Sequence, residues 1–435
     1  MARLLFTVWP YPTHLHPFIA LAREARVRGH EVAFFTGGGA LSVLAREGFR
    51  AFPFHEVDWG RVAHTVDDLI AGRRRPSQLT RLWPRFLVET VPAQVRDLEA
   101  VLSRWPADAL VCDIAMWAPI LILHERDGIP VVPFSHVAHC ILPGPYGPIQ
   151  GIALPRRRAG IQALLAWLVA RASEAITART RGKANALRRT FGLAPLRVSV
   201  NQLTGELPLY LVPGAPEFDN DRRDLPPGVR YVGPCLWDKH EGQRPPSWIA
   251  NVPRDRPCVL VDEGALFTHE PRLLQLAARG LAGLPLSVVL LAGYGRDLAG
   301  LDIGPLASNV MLQPHAPLSD VLPLASAHVT NGNSESVLAA LCAGLPMVVL
   351  PSIWDQAELA WRVHETGVGL RLSPRRATAR RLRLAVERVL HEPSFREDAA
   401  SMGAALARYG GPVRAAGLIE DLVNSCRPAA RAEPL

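Results

Sequence analysis

Two histidines near the amino terminus and one distant aspartate are the residues whose types and positions could do acid–base chemistry. His14 and His16 follow the apolar segment Leu4–Val8, in a loop that we expect between a strand and the next helix. An imidazole titrates near neutrality, and as a general base it contributes about 10²–10⁴ to a rate. Asp113 ends another apolar run, and a carboxylate beside a histidine fixes the ring tautomer and stabilises the imidazolium. In the alternative interpretation these side chains only cap helices, with Asp113 capping one from Met116 onward.

A second group of polar residues stands at two expected strand-to-helix junctions in the carboxyl-terminal half. The segment Thr330–Ser336 joins an apolar strand to a helix that begins near Glu335. Backbone N–H groups and the helix dipole make such a junction suitable for a diphosphate. In the loop Val349–Gln356, the carboxylate of Asp355 and the amide of the final glutamine could bind hydroxyl groups. A plain capped helix start is the alternative for each junction.

Only the folding of the chain into sheets can bring these distant residues together, and the apolar pattern predicts two sheets. Short apolar runs such as Glu31–Thr36 alternate with helical spacings such as Phe18–Arg28, which is typical of parallel strands joined by crossover helices. We predict an α/β fold of two doubly wound, Rossmann-like domains that face each other across a cleft. The predicted boundaries are a first domain at 1–213, an interdomain linker at 214–256, a second domain at 257–410, and a C-terminal helix and tail at 411–435 that packs back towards the first domain.

The composition excludes several classes of protein. With 49% hydrophobic and 20% charged residues, the chain can bury large cores. The net charge of +8 comes with only two lysines and with dispersed arginines, so we expect no nucleic-acid partner. The six cysteines are scattered without a C-x-x-C pair, which favours reduced thiols over disulfides or zinc ligands. No apolar run approaches the roughly 18 residues of a membrane span, and no signal-peptide signature follows Met1, so we expect a cytoplasmic protein.

Several segments together carry a resemblance to a known family. The carboxyl-terminal signature runs from Val329 through Asn331-Gly332 and Cys342–Pro351 to Asp355-Gln356. It resembles the donor-binding signature of the UDP-glycosyltransferase-like family, which has the GT-B fold. At the amino end, Thr13–Pro17 followed by Arg28–Val32 resembles the family's catalytic histidine loop, and Tyr231–Pro234 matches its motif before the linker. The resemblance spans nearly the whole chain, apart from the segments around 60–90 and 140–200.

The resemblance implies an inverting transfer of a sugar from a nucleotide diphosphate sugar to the hydroxyl of a small acceptor, without a metal or a tightly bound cofactor. His14 would be the general base, with Asp113 holding its ring, and His315 would stack on the nucleobase. The first domain would bind the acceptor and the second the donor. The implied donor-binding residues are Gly264, Ala265, His315, Asn331, Gly332, Asn333, Ser334, Glu335, Ser336, Asp355 and Gln356. The expected acceptor-binding residues are Trp9, Tyr11, His16, Trp59, Trp83, Phe86, Trp117, His136 and His139.

The donor signature departs from the family pattern in ways that bear on the donor. Asn331 stands where relatives usually carry a phosphate-binding histidine, and Glu335 where they carry glycine. A carboxylate about 4 Å from a phosphate would be repelled by about 4 kcal/mol, against about 0.3–1 kcal/mol from the helix dipole, unless Glu335 points away. Ala339 replaces the ribose-binding glutamate of UDP-sugar users, which favours a TDP-deoxysugar over a UDP-sugar. Asp262-Glu263 makes the pocket more acidic still.

The sequence therefore predicts a natural-product glycosyltransferase whose partners are a nucleotide sugar and a small lipophilic acceptor such as a polyketide or macrolide. A basic amphipathic stretch at Arg156–Val169 could contact a membrane, but a helix that covers an apolar pocket is favoured. The chain is expected to be a monomer or a homodimer. The alternative function is that of a catalytically silent, glycosyltransferase-like auxiliary or binding protein, which the altered donor residues permit.

Overall fold

A computed structural model describes residues 1–70, 85–135, 168, 178–219, 222, 225–264, 270–293, 296–353 and 355–426. In this part of the chain, two parallel sheets with helices on their faces form the α/β architecture that the alternating pattern predicts. The stretch predicted as a basic amphipathic helix lies outside the described residues except for Leu168. No helix among the described residues is both long and apolar enough to cross a bilayer.

The first sheet has seven parallel strands in the order β3-β2-β1-β4-β5-β6-β7 within the described residues. The central strands are almost continuously apolar because helices cover the sheet on both sides. The strands are β1 (Arg3–Thr7), β2 (Glu31–Thr36), β3 (Arg50–Pro53), β4 (Ala109–Asp113), β5 (Val131–Phe134), β6 (Tyr210–Val212) and β7 (Val229–Tyr231).

The helices of the first domain pack onto the two faces of this sheet. Helical segments are α1 (Pro12–Val27), α2 (Ala40–Arg46), α3 (Trp59–Ile70), α4 (Val91–Arg104) and α5 (Val200–Glu206), with a further helical stretch at 178–190. π-helical turns cover Arg85–Glu89 and Pro119–Leu123, the latter running into His124–Arg126.

The start of α1 corrects one sequence-based expectation. The helix begins at Pro12, so His14 and His16 lie in its first turns and not in a loop before a helix at Phe18. Proline is tolerated at the first helical position because the N–H that it lacks has no partner inside the helix there. Pro17 lies inside the helix, although the sequence pattern placed the helix start after it, at Phe18. The two histidines therefore have the fixed spacing of helical residues.

The second sheet has six parallel strands in the order β10-β9-β8-β11-β12-β13 within the described residues. The strands are β8 (Cys258–Asp262), β9 (Ser287–Leu291), β10 (Val310–Gln313), β11 (Ala327–Thr330), β12 (Met347–Val349) and β13 (Gly369–Arg371). The helices are α6 (Arg272–Gly280), α7 (Leu318–Val321), α8 (Ser334–Cys342), α9 (Gln356–Glu365), α10 (Ala379–His391) and α11 (Pro393–Ala407). The 3₁₀ turns are Ser247–Asn251, Leu322–Leu324 and Pro374–Arg376.

Two segments tie the domains together. The range 214–256, expected as a linker, contains β7, which adds an edge strand to the first sheet. Further along the same range, Trp237 packs in the core of the first domain, while Asp238 accepts hydrogen bonds from the backbone N–H and hydroxyl of Ser319 on α7. The last helix, α12 (Gly411–Cys426), returns to the first domain and packs on α1.

Candidate active site

The first part of the site forms where β1 and β4 end side by side. Thr7 pairs with Cys112 in the register of these strands, so Asp113 and the start of the segment leading to α1 lie at the same sheet edge. His14 Nδ1 lies 2.5 Å from Asp113 Oδ2. Asp113 is fully buried, and its other oxygen accepts the backbone N–H of Ala115 at 2.8 Å.

This geometry selects one form of the histidine ring. A buried carboxylate that accepts from Nδ1 places the proton of the neutral ring on Nδ1, so Nε2 is the basic nitrogen. The side chain of His14 is 15% exposed, whereas that of Asp113 is 0% exposed. The pair can therefore take up a proton from the cleft side while the carboxylate stabilises the imidazolium from behind.

Aromatic side chains surround the pair. Trp9 stacks on Trp59 with ring centroids 5.8 Å apart, and Tyr11 meets Trp59 edge-on at 4.9 Å and His14 at 5.7 Å. Trp9 is fully buried and donates its Nε1–H to the carbonyl of Ala115 at 2.9 Å. Tyr11 and Trp59 are partly exposed. The ring of Tyr11 contacts that of His14, and the ring of Trp59 contacts that of Tyr11.

The other expected acceptor residues have mixed placements. Trp117 is buried in the core and donates its Nε1–H to the carbonyl of Ile114 at 2.9 Å. Phe86 belongs to the π-helical turn at Arg85–Glu89. Four residues that we expected to bind the acceptor or the donor lie outside the described residues. They are Trp83, His136, His139 and Ala265.

The second part of the site is the loop that leads into α8, which we call the donor loop (residues 331–336). Asn333 is the N-cap of α8, and its side-chain oxygen accepts the N–H of Ser336 at 2.9 Å. The same side chain donates to Ser336 Oγ at 2.9 Å and to Asn331 Oδ1 at 3.0 Å. Asn331 in turn donates to the carbonyl of Glu263 at 2.6 Å. The polar side chains of the donor loop thus hold one another in place.

Two glycines let the backbone pass close to these side chains. Gly264 has φ +64°, and a Cβ there would lie 2.2 Å from Asn333 Nδ2. Gly332 has φ +87°, and its Cβ would lie 2.6 Å from Val349 Cγ1. Both positions therefore require glycine, for conformation and for space.

A buried carboxylate supports the donor loop from below. Asp262 ends β8 beside Thr330 of β11, and its Oδ2 accepts from Ser336 Oγ at 2.8 Å and faces His328 Nε2 at 2.9 Å. Its Oδ1 accepts the backbone N–H of Gly264. Burial alone would raise the pKa of Asp262, but the bonds from His328, Ser336 and Gly264 outweigh it and hold that pKa below its usual value.

The neighbouring carboxylate has its own cation. Glu263 Oε2 lies 2.5 Å from Arg296 Nη1, and Oε1 accepts the N–H of Leu273 at 3.3 Å. Burial raises the pKa of Glu263 above its usual value in spite of the guanidinium. The acidic pair that the sequence places before Gly264 is therefore bound within the second domain, Asp262 to its loop and Glu263 to Arg296.

His315 is half-buried after β10, in the position expected to stack on a nucleobase. Burial lowers the pKa of its ring, while the charges of Asp262 and Glu335 act in the opposite direction. The neutral ring is thus favoured at physiological pH.

The loop before α9 places two further expected donor residues. Asp355 is the N-cap residue of α9 and is partly exposed. Gln356 is buried, and its Oε1 accepts the N–H and hydroxyl of Ser352 at 2.9 and 2.8 Å and the N–H of Ile353 at 3.0 Å. The oxygen of Gln356 therefore shapes this loop, which sets the position of Asp355.

Glu335 faces the first domain. Its Oε1 lies 2.9 Å from Nδ1 of His16, a residue expected to contact the acceptor. The carboxylate is thus held by a hydrogen bond donor from the other half of the molecule.

Comparisons with known proteins agree with the fold. Residues 296–422 match the family model described as erythromycin biosynthesis protein CIII-like, C-terminal domain. The chain is 32% identical over 436 residues to the 4'-demethylrebeccamycin synthase of Lentzea aerocolonigenes, covering 97% of this chain and 100% of that protein. The chain belongs to the antibiotic glycosyltransferases of the UDP-glycosyltransferase-like family.

Solved structures identify the architecture of this glycosyltransferase. The calicheamicin glycosyltransferase CalG4 superposes with a TM-score of 0.75 at 25% identity, covering 98% of this chain and 100% of that one. The glycosyltransferase VinC, solved in complex with DTDP, superposes with a TM-score of 0.71 at 20% identity, covering 97% and 100%. The predicted GT-B fold is confirmed, and so is the prediction of an enzyme that acts on nucleotide sugars in natural-product biosynthesis.

Sequence reasoning missed three residues that shape the site of the glycosyltransferase. His328 binds the buried Asp262, Arg296 binds Glu263, and Trp237 packs edge-on against His16 with centroids 4.8 Å apart. His328 carried a signal, because a histidine in the middle of an apolar parallel strand needs a buried partner. Arg296 and Trp237 stand in irregular segments, where no periodic pattern singles them out.

Proposed function

We propose that this glycosyltransferase moves a sugar from a nucleoside diphosphate sugar to a hydroxyl of a lipophilic natural product, with inversion at the anomeric carbon and His14 as the general base. The observation that supports this most is the 2.5 Å contact between His14 Nδ1 and the buried carboxylate of Asp113. The contact supplies the basic Nε2 that a hydroxyl nucleophile needs, on a helix whose start faces the second domain.

The chemistry of the step follows from this arrangement. Nε2 of His14 takes the proton of the acceptor hydroxyl as its oxygen forms a bond to the anomeric carbon. The bond from that carbon to the diphosphate oxygen breaks, and the leaving group departs with the electron pair. Asp113 stabilises the imidazolium, which returns its proton to solvent after the product leaves. Attack opposite to the leaving group inverts the anomeric centre.

The donor loop is the proposed position of the diphosphate. α8 begins there, and the positive end of its dipole favours an anion. The loop is already ordered by Asn333, Ser336 and the buried Asp262, so it needs little rearrangement to hold the charge that develops on the leaving group. His315 would cover the nucleobase and Asp355 would bind sugar hydroxyls.

We propose TDP-deoxysugars as the preferred donors. Ala339 on α8 has no group that could accept a hydrogen bond from a ribose 2′-hydroxyl, which TDP lacks and UDP carries. The complex of the related fold VinC with DTDP supports the same choice. On the acceptor side, Tyr11 and Trp59 offer aromatic faces beside His14, which suits a lipophilic molecule.

Calorimetric titration with TDP and UDP, together with turnover of TDP- and UDP-sugars over a panel of lipophilic alcohols and phenols, tests the proposal. We expect TDP to bind at micromolar concentration and more tightly than UDP. His14→Ala should abolish transfer and leave the TDP affinity unchanged, because Nδ1 of His14 is bound to Asp113 in the first domain and not to the donor loop. Full turnover by His14→Ala would rule out the base assignment. Failure of both nucleotides to bind would favour the auxiliary-protein function.

A further inference from the structure

A hydrogen bond joins the two domains beside the proposed reaction site. His16 Nδ1 and Glu335 Oε1 lie 2.9 Å apart, although 319 residues separate them in the chain. His16 stands on α1 two residues after the proposed base, and Glu335 stands in the first turn of α8. The two side chains are only 11% and 19% exposed. The contact thus connects the helix that carries the base to the helix that faces the donor.

The first domain fixes the ring of His16 independently of this bond. The ring meets that of Trp237 edge-on, with an interplanar angle of 62°. Trp237 is itself buried, and the guanidinium of Arg23 lies 5.9 Å from its centroid. His16 therefore presents its Nδ1 to Glu335 in a direction that the contact with Trp237 helps to set.

Glu335 creates an electrostatic problem for a donor that ends in a diphosphate. Its carboxylate belongs to the same helical turn as Ser336, at the helix end where the anion is proposed to bind. A carboxylate there repels the diphosphate more strongly than the helix dipole attracts it. The N–H of His16 stabilises that negative charge and holds the carboxylate towards the first domain.

We propose that His16 is a positioning residue of the donor site, which acts through Glu335. It donates a hydrogen bond to the carboxylate and holds it against the first domain, so that a nucleoside diphosphate binds at α8. The residue takes no part in the bond changes of the transfer. The inference rests on the proposed position of the diphosphate, and it makes the first domain a contributor to donor affinity as well as to acceptor binding.

A double-mutant cycle on nucleotide binding tests this inference without turnover. Calorimetric titrations with TDP and with UDP are made on the wild type, His16→Ala, Glu335→Ala and the double variant. We expect His16→Ala to weaken binding of the preferred nucleotide about tenfold, because the carboxylate is left uncompensated. Glu335→Ala should tighten binding about threefold. The double variant should bind like Glu335→Ala, because His16 has nothing to act on once the carboxylate is gone.

Two matched variants separate this role from a general loosening of the structure. His16→Asn keeps an N–H donor one bond from Cγ, where Nδ1 stands in the ring, and should restore affinity to within about threefold of the wild type. Glu387→Ala removes a carboxylate that is paired with Arg383 on the exposed face of α10, and it should leave the affinity unchanged.

The inference is overturned if His16→Ala leaves the affinity unchanged, or weakens it equally with and without Glu335. It is also overturned if the wild type binds neither nucleotide while Glu335→Ala binds one, since His16 then fails to hold the carboxylate away from the diphosphate. If none of the four proteins binds, the proposed donor position falls together with the inference. A His14→Ala protein that keeps its turnover contradicts only the assignment of the base.

Discussion

Each domain contains one aspartate–histidine pair at a strand end of its sheet, and the two pairs have different surroundings. In the first domain, Asp113 at the end of β4 holds His14, whose side chain is 15% exposed. In the second domain, Asp262 at the end of β8 holds His328, whose side chain is 0% exposed. The N–O distances are 2.5 and 2.9 Å. Nearly the same contact thus occurs once at the wall of the cleft and once inside the core.

The roles that we propose for the two pairs follow from this difference in exposure. His14 stands on a helix that begins at the cleft, so its second nitrogen can exchange a proton with a bound molecule. His328 stands on a strand with apolar neighbours, and its aspartate also binds Ser336 and the N–H of Gly264. In the proposed mechanism the first pair transfers a proton, whereas the second pair holds Ser336 and Gly264 of the donor site in place.

The largest effect is expected from a change at the exposed pair. In Asp113→Asn the amide donates to Nδ1 of His14, so that the ring takes the other tautomer and its basic nitrogen faces away from the acceptor. We expect kcat to fall by about 10³–10⁴, with the calorimetric affinity for TDP unchanged. A loss of TDP affinity of the same size would mean that the change unfolds the site, and a kcat within tenfold of the wild type would contradict the role of Asp113.

The corresponding change at the buried pair should affect stability. Asp262→Asn removes the charge that binds His328 and Ser336, and we expect a loss of about 3 kcal/mol in the free energy of unfolding in urea at pH 7. Because the pKa of Asp262 is lowered in the folded protein, its ionised form stabilises the fold above the unfolded pKa of about 3.9. The difference between variant and wild type should therefore shrink as the pH falls through the folded pKa.

A control separates this effect from a general sensitivity to charge. Asp255→Asn changes an exposed carboxylate whose partner is the adjacent Arg256. We expect it to leave the midpoint of urea unfolding where it is in the wild type. A difference for Asp262→Asn that grows as the pH is lowered would contradict the direction of the pKa shift.

The two helix caps of the second domain offer a smaller and more local test. Asn333→Ala removes the N-cap of α8 together with the bonds to Ser336 and Asn331, and we expect a loss of about 2 kcal/mol in stability. Thr378→Ala removes the N-cap bond to Arg381 on α10, at a cost of about 1 kcal/mol. Only Asn333→Ala should also weaken TDP binding, measured by calorimetry. Equal weakening by both variants would show that stability alone sets the affinity.

The smallest effect is expected at Trp117, a residue that was expected to bind the acceptor and that is buried in the core. Trp117→Phe removes the hydrogen bond from Nε1 to the carbonyl of Ile114, and we expect it to lower stability by about 1 kcal/mol without changing the KM for the acceptor. Trp248→Phe is the matched control, because its Nε1 has no hydrogen-bond partner among the described residues, and it should lower stability less. A raised acceptor KM for Trp117→Phe would indicate that Trp117 contributes to acceptor binding.

The central strands were predictable because each is a short apolar run that is almost entirely buried. Strand Glu31–Thr36 has the predicted limits. The start of α1 was not predictable from breaker residues, because Pro12 suits the first helical position and Pro17 is accommodated inside the helix. Strand β7 was hidden in a segment rich in proline and glycine, and only its pairing with β6 reveals it.

The candidate site was predictable in its residues and much less in their contacts. The positions of His14 and Asp113 follow from two strand ends that are neighbours in one sheet. The direction of Glu335 does not follow, because its partner His16 is 319 residues away and belongs to the other domain. Similarly, nothing in the sequence indicates that the side-chain oxygen of Gln356 accepts a hydrogen bond from Ser352 in the loop before its own helix. Contacts between distant segments depend on packing that a local pattern does not encode.

Helix α12 has a consequence for the order in which the protein is made. Its residues Ala415, Ile419 and Val423 complete the core around α1, and Arg28 of the first domain binds Glu420 at 3.3 Å. About 380 residues separate the end of α1 from this helix, and a ribosome that adds about 5–20 residues per second needs about 20–75 seconds to make them. The sheet β8–β13 is synthesised within that interval. The first domain, although its synthesis begins first, is therefore completed only after the second sheet has been made, and part of its apolar surface stays uncovered until α12 is available.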